Sequence, residues 1–139
     1  MGLGEVKNYD HILEQLRDIA HKLNIPVLVL STLKRDVECR DDKRPRLADL
    51  CSIIKTPAIA DVIIFLYSES YYLEVSKPIR MDNESKSSFV DRLKEWEEKY
   101  RMNKNRCTID VSRNRNGSRV SLGTSYNWKT VRFSDNVEE

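Results

Sequence analysis

The 139-residue chain carries 24 basic and 22 acidic side chains, so its net charge of +2 excludes a strongly basic or acidic protein. Its 40% hydrophobic content and only four glycines and four prolines exclude a disordered or fibrous chain. The apolar runs 25–30 and 62–67 are far shorter than the roughly 20 residues of a membrane helix, and we expect neither a membrane span nor a signal peptide. Three cysteines without CxxC spacing are typical of reduced thiols, which indicates a cytoplasmic protein without a zinc site.

The first half of the chain alternates predicted helices and buried strands. Apolar residues at helical spacing predict an amphipathic helix over 9–23, and the continuous apolar run at 25–30 is typical of a buried parallel strand. A short helix is predicted over 47–54, and the apolar run at 61–67 predicts a second buried strand. Because this alternation is the order of an α/β domain, we expect mainly parallel strands in this half.

The second half of the chain has the pattern of a helix followed by a β-hairpin. A short strand is predicted over 71–75, and apolar residues at steps of three and four predict a helix within the polar region 77–104. Alternating apolar residues at 107–112, followed by an Asn-Gly pair, predict an antiparallel hairpin, with a further strand over 128–133. The fold class is therefore α/β with a C-terminal antiparallel hairpin.

Two arginines immediately precede the Asn-Gly pair of the predicted hairpin. Arg113 and Arg115 are two residues apart on one strand, so both side chains are expected on the same side. Held beside a tight turn, they would form a rigid cationic prong suited to a phosphate on a neighbouring molecule. A pair of solvated arginines at an exposed turn is the alternative, and the hairpin pattern alone leaves both open.

A second group of polar residues follows the first predicted strand, at 31–35. Ligands of parallel α/β sheets gather at the carboxyl ends of the strands. Thr32 and Arg35 are therefore candidates for sensing a bound nucleotide. The alternative is an ordinary turn that leads out of the strand.

The sequence lacks the glycine-rich loops that cradle phosphates, because neither GxxxxGK[ST] nor GxGxxG occurs in it. We therefore expect that the chain does not hold a nucleoside triphosphate by itself, and we predict no metal site. Residues 101–132 do carry eight basic side chains against a single acidic one, Asp110. That local surplus is compatible with binding to nucleic acid or to nucleotide phosphates.

Several motifs together resemble the C-terminal ATPase domain of DnaB-type replicative helicases. In the first half of the chain they are 23–27, 30–35, 37–38, 42–45, 47–50 and 60–67, and in the second half 115–117, 120, 122 and 130–133. These segments follow the order of the family over about two thirds of the chain. The combination of Asp-Lys-Arg-Pro with Arg-Asn-Gly makes the resemblance specific.

The resemblance implies a RecA-like fold of the P-loop NTPase type, in rings that bind ATP between subunits and move single-stranded DNA during DNA replication. The hairpin arginine of the family reaches into the neighbouring subunit's nucleotide site as an arginine finger, and it corresponds to Arg115; its basic partner corresponds to Arg113. Such an arginine stabilises charge on the transferred phosphoryl group. The resemblance also suggests DNA contacts through Lys43, Arg44 and Lys55.

The chain departs from the family pattern at two of these places. Thr32 stands where the family has a glutamine that senses the γ-phosphate, and threonine is too short to reach in the same way. Residues 51–54 replace the Arg-Glu-Ser-Gly of the family's DNA-binding loop, which removes a glycine and a charge from that loop.

The resemblance begins after the positions where the family keeps its Walker A loop and Walker B aspartate. We therefore expect 1–139 to be a single domain, the C-terminal half of a RecA-like helicase domain, with a helical insertion at 77–104 and a frayed tail at 134–139. In a RecA-like sheet the P-loop strand lies between the strands predicted at 25–31 and 61–67. Without it, these strands are expected to pair directly or to bury their edges in a dimer.

Three functions remain open at this point. The leading interpretation is a part of a helicase that supplies Arg115 and Arg113 in trans to ATP hydrolysis and DNA unwinding. ATP and Mg²⁺ would then be bound only in a complete assembly with helicase subunits or further copies of the chain, and the isolated chain would be inactive. The alternative is a non-catalytic module that docks on a helicase ring or on single-stranded DNA through the basic hairpin, and the third is a remnant without a function of its own.

Overall fold

The structure, a computed structural model, describes residues 6–50 and 57–135. These residues fall into two compact units, the first comprising 6–50, 57–65 and 111–120 and the second 66–110 and 121–135. Four α-helices lie within these ranges: α1 (Val6–Leu23), α2 (Leu47–Leu50), α3 (Glu69–Val75) and α4 (Lys86–Asn103). The strands are β1 (Val62–Tyr67), β2 (Arg106–Asn114), β3 (Val120–Asn127) and β4 (Arg132–Asp135), and they form one sheet in the order β1-β2-β3-β4. None of the described helices is long and apolar enough to cross a membrane.

The helix predicted over 9–23 is confirmed as α1, which begins three residues earlier than expected. His21 and Lys22 lie in its last turn, where positive charge interacts favourably with the helix dipole. The helix ends at Leu23. The next residue, Asn24, has a φ of 51°, and the Ile25 amide donates to the Ala20 carbonyl at 3.1 Å. Asparagine tolerates this left-handed conformation, so the residue that follows the helix suits its C-terminal cap.

The buried parallel strand predicted at 25–31 is not present, because residues 25–34 have neither helix nor strand conformation. Leu28 is 85% exposed and Leu30 is 89% exposed. An apolar run becomes a buried strand only where neighbouring strands supply hydrogen bonds, and no described strand pairs with this segment. Pro26 also lacks an amide hydrogen for such a ladder.

The second strand predicted in this half is confirmed as β1, but its environment differs from the expectation. Ile63 and Phe65 are buried with Leu50, whereas Val62 and Ile64 are exposed, so burial alternates along the strand. This period of two is typical of a strand with one packed face. Among the described strands the pairing is antiparallel, and no parallel pair occurs.

The core of the first unit is small. It consists of Leu50, Ile63 and Phe65, with partly buried side chains packed against them from Leu33, Leu47 and Ala60. The described part of the helix predicted over 47–54 is α2, and residues 51–54 lie outside the described residues. One turn of helix therefore places Leu47 and Leu50 against β1.

A partly buried ion pair closes the polar loop between residues 40 and 49. Arg40 donates from Nη1 and Nη2 to the two carboxylate oxygens of Asp49, both at 3.0 Å, and Asp49 also accepts the Arg46 amide at 2.7 Å. A bidentate guanidinium–carboxylate pair is both strong and geometrically specific. Because Asp49 lies in α2 and is buried, this pair ties the loop to the helix beside the core.

In the second unit, residues 71–75 form part of helix α3, so the strand predicted there is wrong. The helix packs against α4, where the Trp96 indole donates from Nε1 to the Leu73 carbonyl at 2.8 Å. Lys77 lies over the Trp96 ring at 5.4 Å, and Tyr100 stacks on the same ring at 5.2 Å. Two adjacent tyrosines have strand propensity, but packing against a neighbouring helix outweighs that preference.

The helix predicted within 77–104 is confirmed as α4, and an ion pair holds the segment before it. Arg92 donates from Nε and Nη2 to the two carboxylate oxygens of Glu84, each at 2.7 Å, and Nη2 also donates to the Ile79 carbonyl at 3.1 Å. Ser85 caps the helix by accepting the Ser88 amide at 3.1 Å. These contacts connect the segment to the second turn of α4.

The predicted hairpin is confirmed as β2 and β3, but the strand predicted at 128–133 begins only at Arg132. The Asn127 side chain accepts the amides of Lys129 and Thr130, which turns the chain before β4. β4 then pairs antiparallel with β3 from 132 to 135, so Ser134 and Asp135 lie in a strand and not in the expected tail. Residues 136–139 lie outside the described residues.

We predict that the Glu84–Arg92 pair stabilises the second unit in a pH-dependent way. The Arg92 guanidinium lowers the pKa of Glu84 from its ordinary value of 4.5 to about 2, and the Glu84 side chain is only 11% exposed. A carboxyl whose pKa is lower in the folded state contributes stability that is fully present above pH 4.5 and is lost as the pH falls through 2.

Urea unfolding of the Glu84→Gln variant, followed by circular dichroism, tests this. The variant is expected to be less stable than the parent chain at pH 7, and the difference should shrink steadily between pH 5 and pH 2. Asp91→Asn, on the exposed side of the same helix, is the matched control and should show little difference at any pH. An equal loss of stability at pH 7 and pH 2 would contradict the role of the ionised pair.

Candidate functional site

Arg115 follows the last residue of β2 and is held against the start of β1 by three contacts. Its amide donates to the Asp61 carbonyl at 2.8 Å, and its guanidinium pairs through Nη1 with Asp61 Oδ1 at 2.7 Å. Nη2 donates to the Ala58 carbonyl at 3.2 Å. The side chains of Arg115 and Asp61 remain 40% and 47% exposed, so the guanidinium is fixed on one side and open to solvent on the other.

The five-residue connection after β2 is organised by the side chain of Asn114. Its Oδ1 accepts the Asn116 amide at 3.2 Å and its Nδ2 donates to the Ser118 carbonyl at 3.3 Å. A Cβ atom at Gly117 would lie 2.8 Å from that Nδ2, so a larger residue there would have to displace the Asn114 amide. The Asn-Gly signal therefore predicted the hairpin correctly, although the connection is longer than a two-residue turn.

Arg113, the second arginine of the prong, lies inside β2 and is partly buried. Its Nε is shielded from solvent and has no hydrogen-bond partner among the described residues. No hydrogen bond or ion pair in the described part of the chain joins it to Arg115 or to the nucleotide-sensing candidates Thr32 and Arg35. The structure thus places one arginine within the strand and the other in the exposed connection.

Thr32 and Arg35 lie at the end of the extended segment that replaces the predicted strand. Both side chains are exposed, and Arg35 begins a 3₁₀ helix that extends to Cys39. The Thr32 carbonyl accepts the hydroxyl of Ser31 at 3.2 Å. The segment is accessible, as a ligand-contacting element must be.

The three DNA-binding candidates have different surroundings. The Lys43 ammonium donates to the carbonyls of Glu38 and Arg40, both at 3.0 Å, so it is directed towards the backbone of its own loop. Arg44 is exposed, and its carbonyl accepts the Arg40 guanidinium at 3.0 Å. Lys55 lies outside the described residues.

The second unit contains an aromatic cavity that the sequence did not indicate. It has a volume of about 350 Å³ and is lined by Leu66, Tyr67, Ser68, Tyr71, Tyr72, Cys107, Tyr126, Trp128 and Phe133. The Tyr126 ring contacts Trp128 edge-on at 4.6 Å and Phe133 at 4.7 Å. Burial raises the pKa of the Cys107 thiol, which keeps it in the protonated, unreactive form at neutral pH.

Sequence reasoning also missed Asp61 and Ala58 as partners of Arg115. The sequence pattern predicts that the strand at 61–67 runs parallel to a strand at 25–31. That expectation gives no reason for the start of β1 to meet the end of β2. Antiparallel pairing of these strands does bring the two ends together, because Asp61 precedes β1 and Arg115 follows β2. The acidic residue directly before an apolar run was the only sequence signal for this contact.

Solved structures of helicase domains share this fold, and two of them illustrate the match. One, described as a DnaB-like replicative helicase and its interactions with primase, matches with a TM-score of 0.64 at 29% identity, over 89% of this chain and 24% of that chain. The other, described as an ATPase domain, matches with a TM-score of 0.61 at 26% identity, over 91% of this chain and 37% of that chain. The fold is therefore that of part of a RecA-like helicase ATPase domain.

The sequence comparison defines the family. Residues 4–135 match the DnaB-like helicase C-terminal domain, and the chain belongs to that family. The replicative DNA helicase DnaB of Rickettsia bellii is 36% identical over 128 residues, which are 92% of this chain and 25% of that protein. The family resemblance found in the motifs is confirmed. The chain spans about a quarter of the length of the curated relatives it matches.

We predict that the Asn114 side chain and Gly117 stabilise the connection through one shared contact. Asn114→Ala removes two hydrogen bonds and should lower the free energy of unfolding by about 1 kcal/mol. Gly117→Ala should lower it by a similar amount, because the added methyl group displaces the Asn114 amide.

Urea unfolding of the single and double variants measures this coupling. Since both changes act on the same contact, the double variant should be little less stable than either single variant. Ser118→Ala is the control, because only the Ser118 carbonyl takes part in the connection. Fully additive losses would contradict the shared contact.

Proposed function

We propose that the chain forms the C-terminal part of a DnaB-type replicative helicase in the cytoplasm and supplies Arg115 to ATP bound by a neighbouring subunit. The observation that carries this proposal is the position of Arg115, which is exposed at a braced connection and held by Asp61 and Ala58. The membership of the chain in the DnaB-like C-terminal domain family supports it. The finger residue of the family corresponds to Arg115, and its basic partner corresponds to Arg113, two residues earlier in β2.

The chemical contribution of Arg115 is electrostatic. Charge builds on the oxygens of the transferred γ-phosphoryl group, and a fixed guanidinium stabilises it without reorganising at the moment of reaction. The described residues contain no group of three side chains that could hold a metal ion, and the sequence has no phosphate-binding loop. The remainder of the assembly therefore holds ATP and Mg²⁺ in this proposal.

The other candidate residues have supporting roles in the same proposal. Thr32 and Arg35 lie on an exposed segment and sense the bound nucleotide. Arg44 contacts single-stranded DNA together with Lys55, while Lys43 shapes the loop through its contacts with backbone carbonyls.

We propose that the exposed apolar segment at 25–30 is covered by other parts of the complete helicase domain. Leu28 and Leu30 are the most exposed of its side chains, and exposed leucines in such a run favour a covered position in an assembly. In the complete RecA-like domain this segment would become a parallel strand. Helicase subunits, or further copies of the chain, are the partners that this arrangement requires.

Arg115→Ala is expected to lower ATP turnover of such an assembly by about a thousandfold or more, the range measured for arginine fingers. The assay uses a helicase in which this chain replaces the matching C-terminal quarter of the Rickettsia bellii relative. Subunits carrying Arg115→Ala, mixed with subunits whose phosphate-binding loop is inactivated, should recover part of the activity, because the finger and the loop then come from different subunits.

Arg119→Ala, a second exposed arginine of the same connection, is the matched control and should leave turnover unchanged. If mixing restores no activity although the mixed rings form, the in-trans role is refuted. Unchanged turnover of the Arg115→Ala helicase would refute any catalytic role for this residue.

A non-catalytic module for single-stranded DNA is the second candidate function. Residues 101–132 carry eight basic side chains and a single acidic one, and this local excess of positive charge favours DNA binding. Phosphate contacts by such side chains release counterions, so the affinity falls as salt increases. This module would bind DNA without ATP.

The isolated chain tests this second function directly. Fluorescence anisotropy with a labelled oligonucleotide should show binding that weakens steeply between 50 and 200 mM salt, by about tenfold or more if several phosphates are contacted. The Arg113→Ala/Arg115→Ala double variant should bind markedly less. Equal binding by the parent chain and the double variant would rule out the hairpin as the DNA-binding surface.

A further inference from the structure

The contacts of Arg115 fix its main chain and its side chain at the same time. The amide donates to the Asp61 carbonyl, which places the backbone. Nη2 donates to the Ala58 carbonyl, and Nη1 forms an ion pair with Asp61 Oδ1 at 2.7 Å. A guanidinium has five N–H donors, and these contacts leave most of them for another molecule. The arrangement therefore anchors the group while leaving most of its donors available.

Both anchoring oxygens come from the segment immediately before and at the start of β1. Ala58 lies in the 3₁₀ helix Pro57–Ile59, which α1 packs against, and Asp61 directly precedes the strand whose Ile63 and Phe65 are in the core. The anchor is thus attached to packed structure, while the arginine is in a solvent-exposed connection. An exposed arginine otherwise loses side-chain conformational entropy when it is ordered by a ligand.

We propose that Asp61 is a positioning residue for Arg115: its carboxylate, with the Ala58 carbonyl, holds the guanidinium in place before a phosphate arrives. This inference rests on the proposed function, because positioning matters for turnover only if Arg115 acts on the nucleotide. It goes beyond that function by assigning the acidic residue on which the arginine depends. In this role Asp61 acts only through Arg115.

The physical reason is preorganisation. A group that is already oriented needs no reorganisation when charge develops, whereas a misplacement of about 1 Å can lower a rate a hundredfold. Asp61→Ala removes both the charge and the acceptor, so the guanidinium loses its strongest contact. Asp61→Asn keeps an acceptor oxygen of the same shape and should retain part of the positioning.

The first test uses the isolated full chain and does not depend on ATP hydrolysis. Nitrogen-15 relaxation of the arginine Nε–H groups, with Arg115 assigned through the signal lost in Arg115→Lys, measures the order of the guanidinium. We expect an order parameter near 0.8 in the parent chain, a fall below about 0.6 in Asp61→Ala, and an intermediate value in Asp61→Asn. Asp18→Ala, an exposed aspartate of α1, is the matched control and should leave the Arg115 signal unchanged.

The second test measures turnover in the helicase that carries this chain. Asp61→Ala should lower kcat on the order of tenfold with KM changed less than twofold, and Asp61→Asn should recover part of the loss. Asp18→Ala should change neither constant. A purely structural effect of Asp61 would appear as lower ring yield or stability with unchanged kcat per assembled ring.

The outcomes separate this inference from the proposed function. A mobile Arg115 guanidinium in the parent chain, or an ordered one in Asp61→Ala, overturns the inference even if Arg115→Ala abolishes turnover. A faster Asp61→Ala or Asp61→Asn helicase also overturns it, because the carboxylate would then only oppose the arginine's charge. If Arg115→Ala has no effect on turnover while the relaxation results are as expected, the proposed function fails and the anchoring of Arg115 by Asp61 stands.

Discussion

Arg115 joins two segments that lie far apart in the chain, since its contact with Ala58 spans 57 residues. The contact is possible only because β1 and β2 run antiparallel, so that the residue before one strand meets the residue after the other. The position of the exposed connection, the orientation of the guanidinium and the exposed edge of β1 all follow from this pairing. At this end of the strand pair, Arg115 forms a backbone hydrogen bond and an ion pair with the same residue, Asp61.

The first unit combines a small core with polar contacts that do much of the positioning. Only a few of its described side chains are buried, and the loop before α2 is held by the Arg40–Asp49 pair. Polar contacts of this kind are directional, so they determine a loop geometry more narrowly than hydrophobic burial does. A chain that presents side chains to another molecule benefits from that difference, because the presenting segments are necessarily exposed.

The sequence predicted those elements whose pattern is local. The spacing of apolar residues identified α1 and α4, and the Asn-Gly pair identified the hairpin, because these signals depend on neighbouring residues. The run at 25–30 and the tyrosines at 71–72 gave wrong predictions, since strand formation depends on a partner strand that no local pattern reveals. The same limit applies to the site: Arg115 could be nominated from the hairpin and the family motif, whereas Asp61 is recognised as its partner only when the strand pairing is known.

The open edge of β1 has a consequence for the behaviour of the polypeptide in solution. In the described sheet β1 has β2 on one side and no strand on the other, and Val62 and Ile64 expose apolar side chains on one face of this edge strand. An unprotected edge with apolar side chains is a template on which other extended segments add by hydrogen bonding. The apolar run at 25–30 is such a segment in every molecule, so the isolated polypeptide carries both components of edge-to-edge aggregation, and the aggregated fraction should rise steeply with concentration.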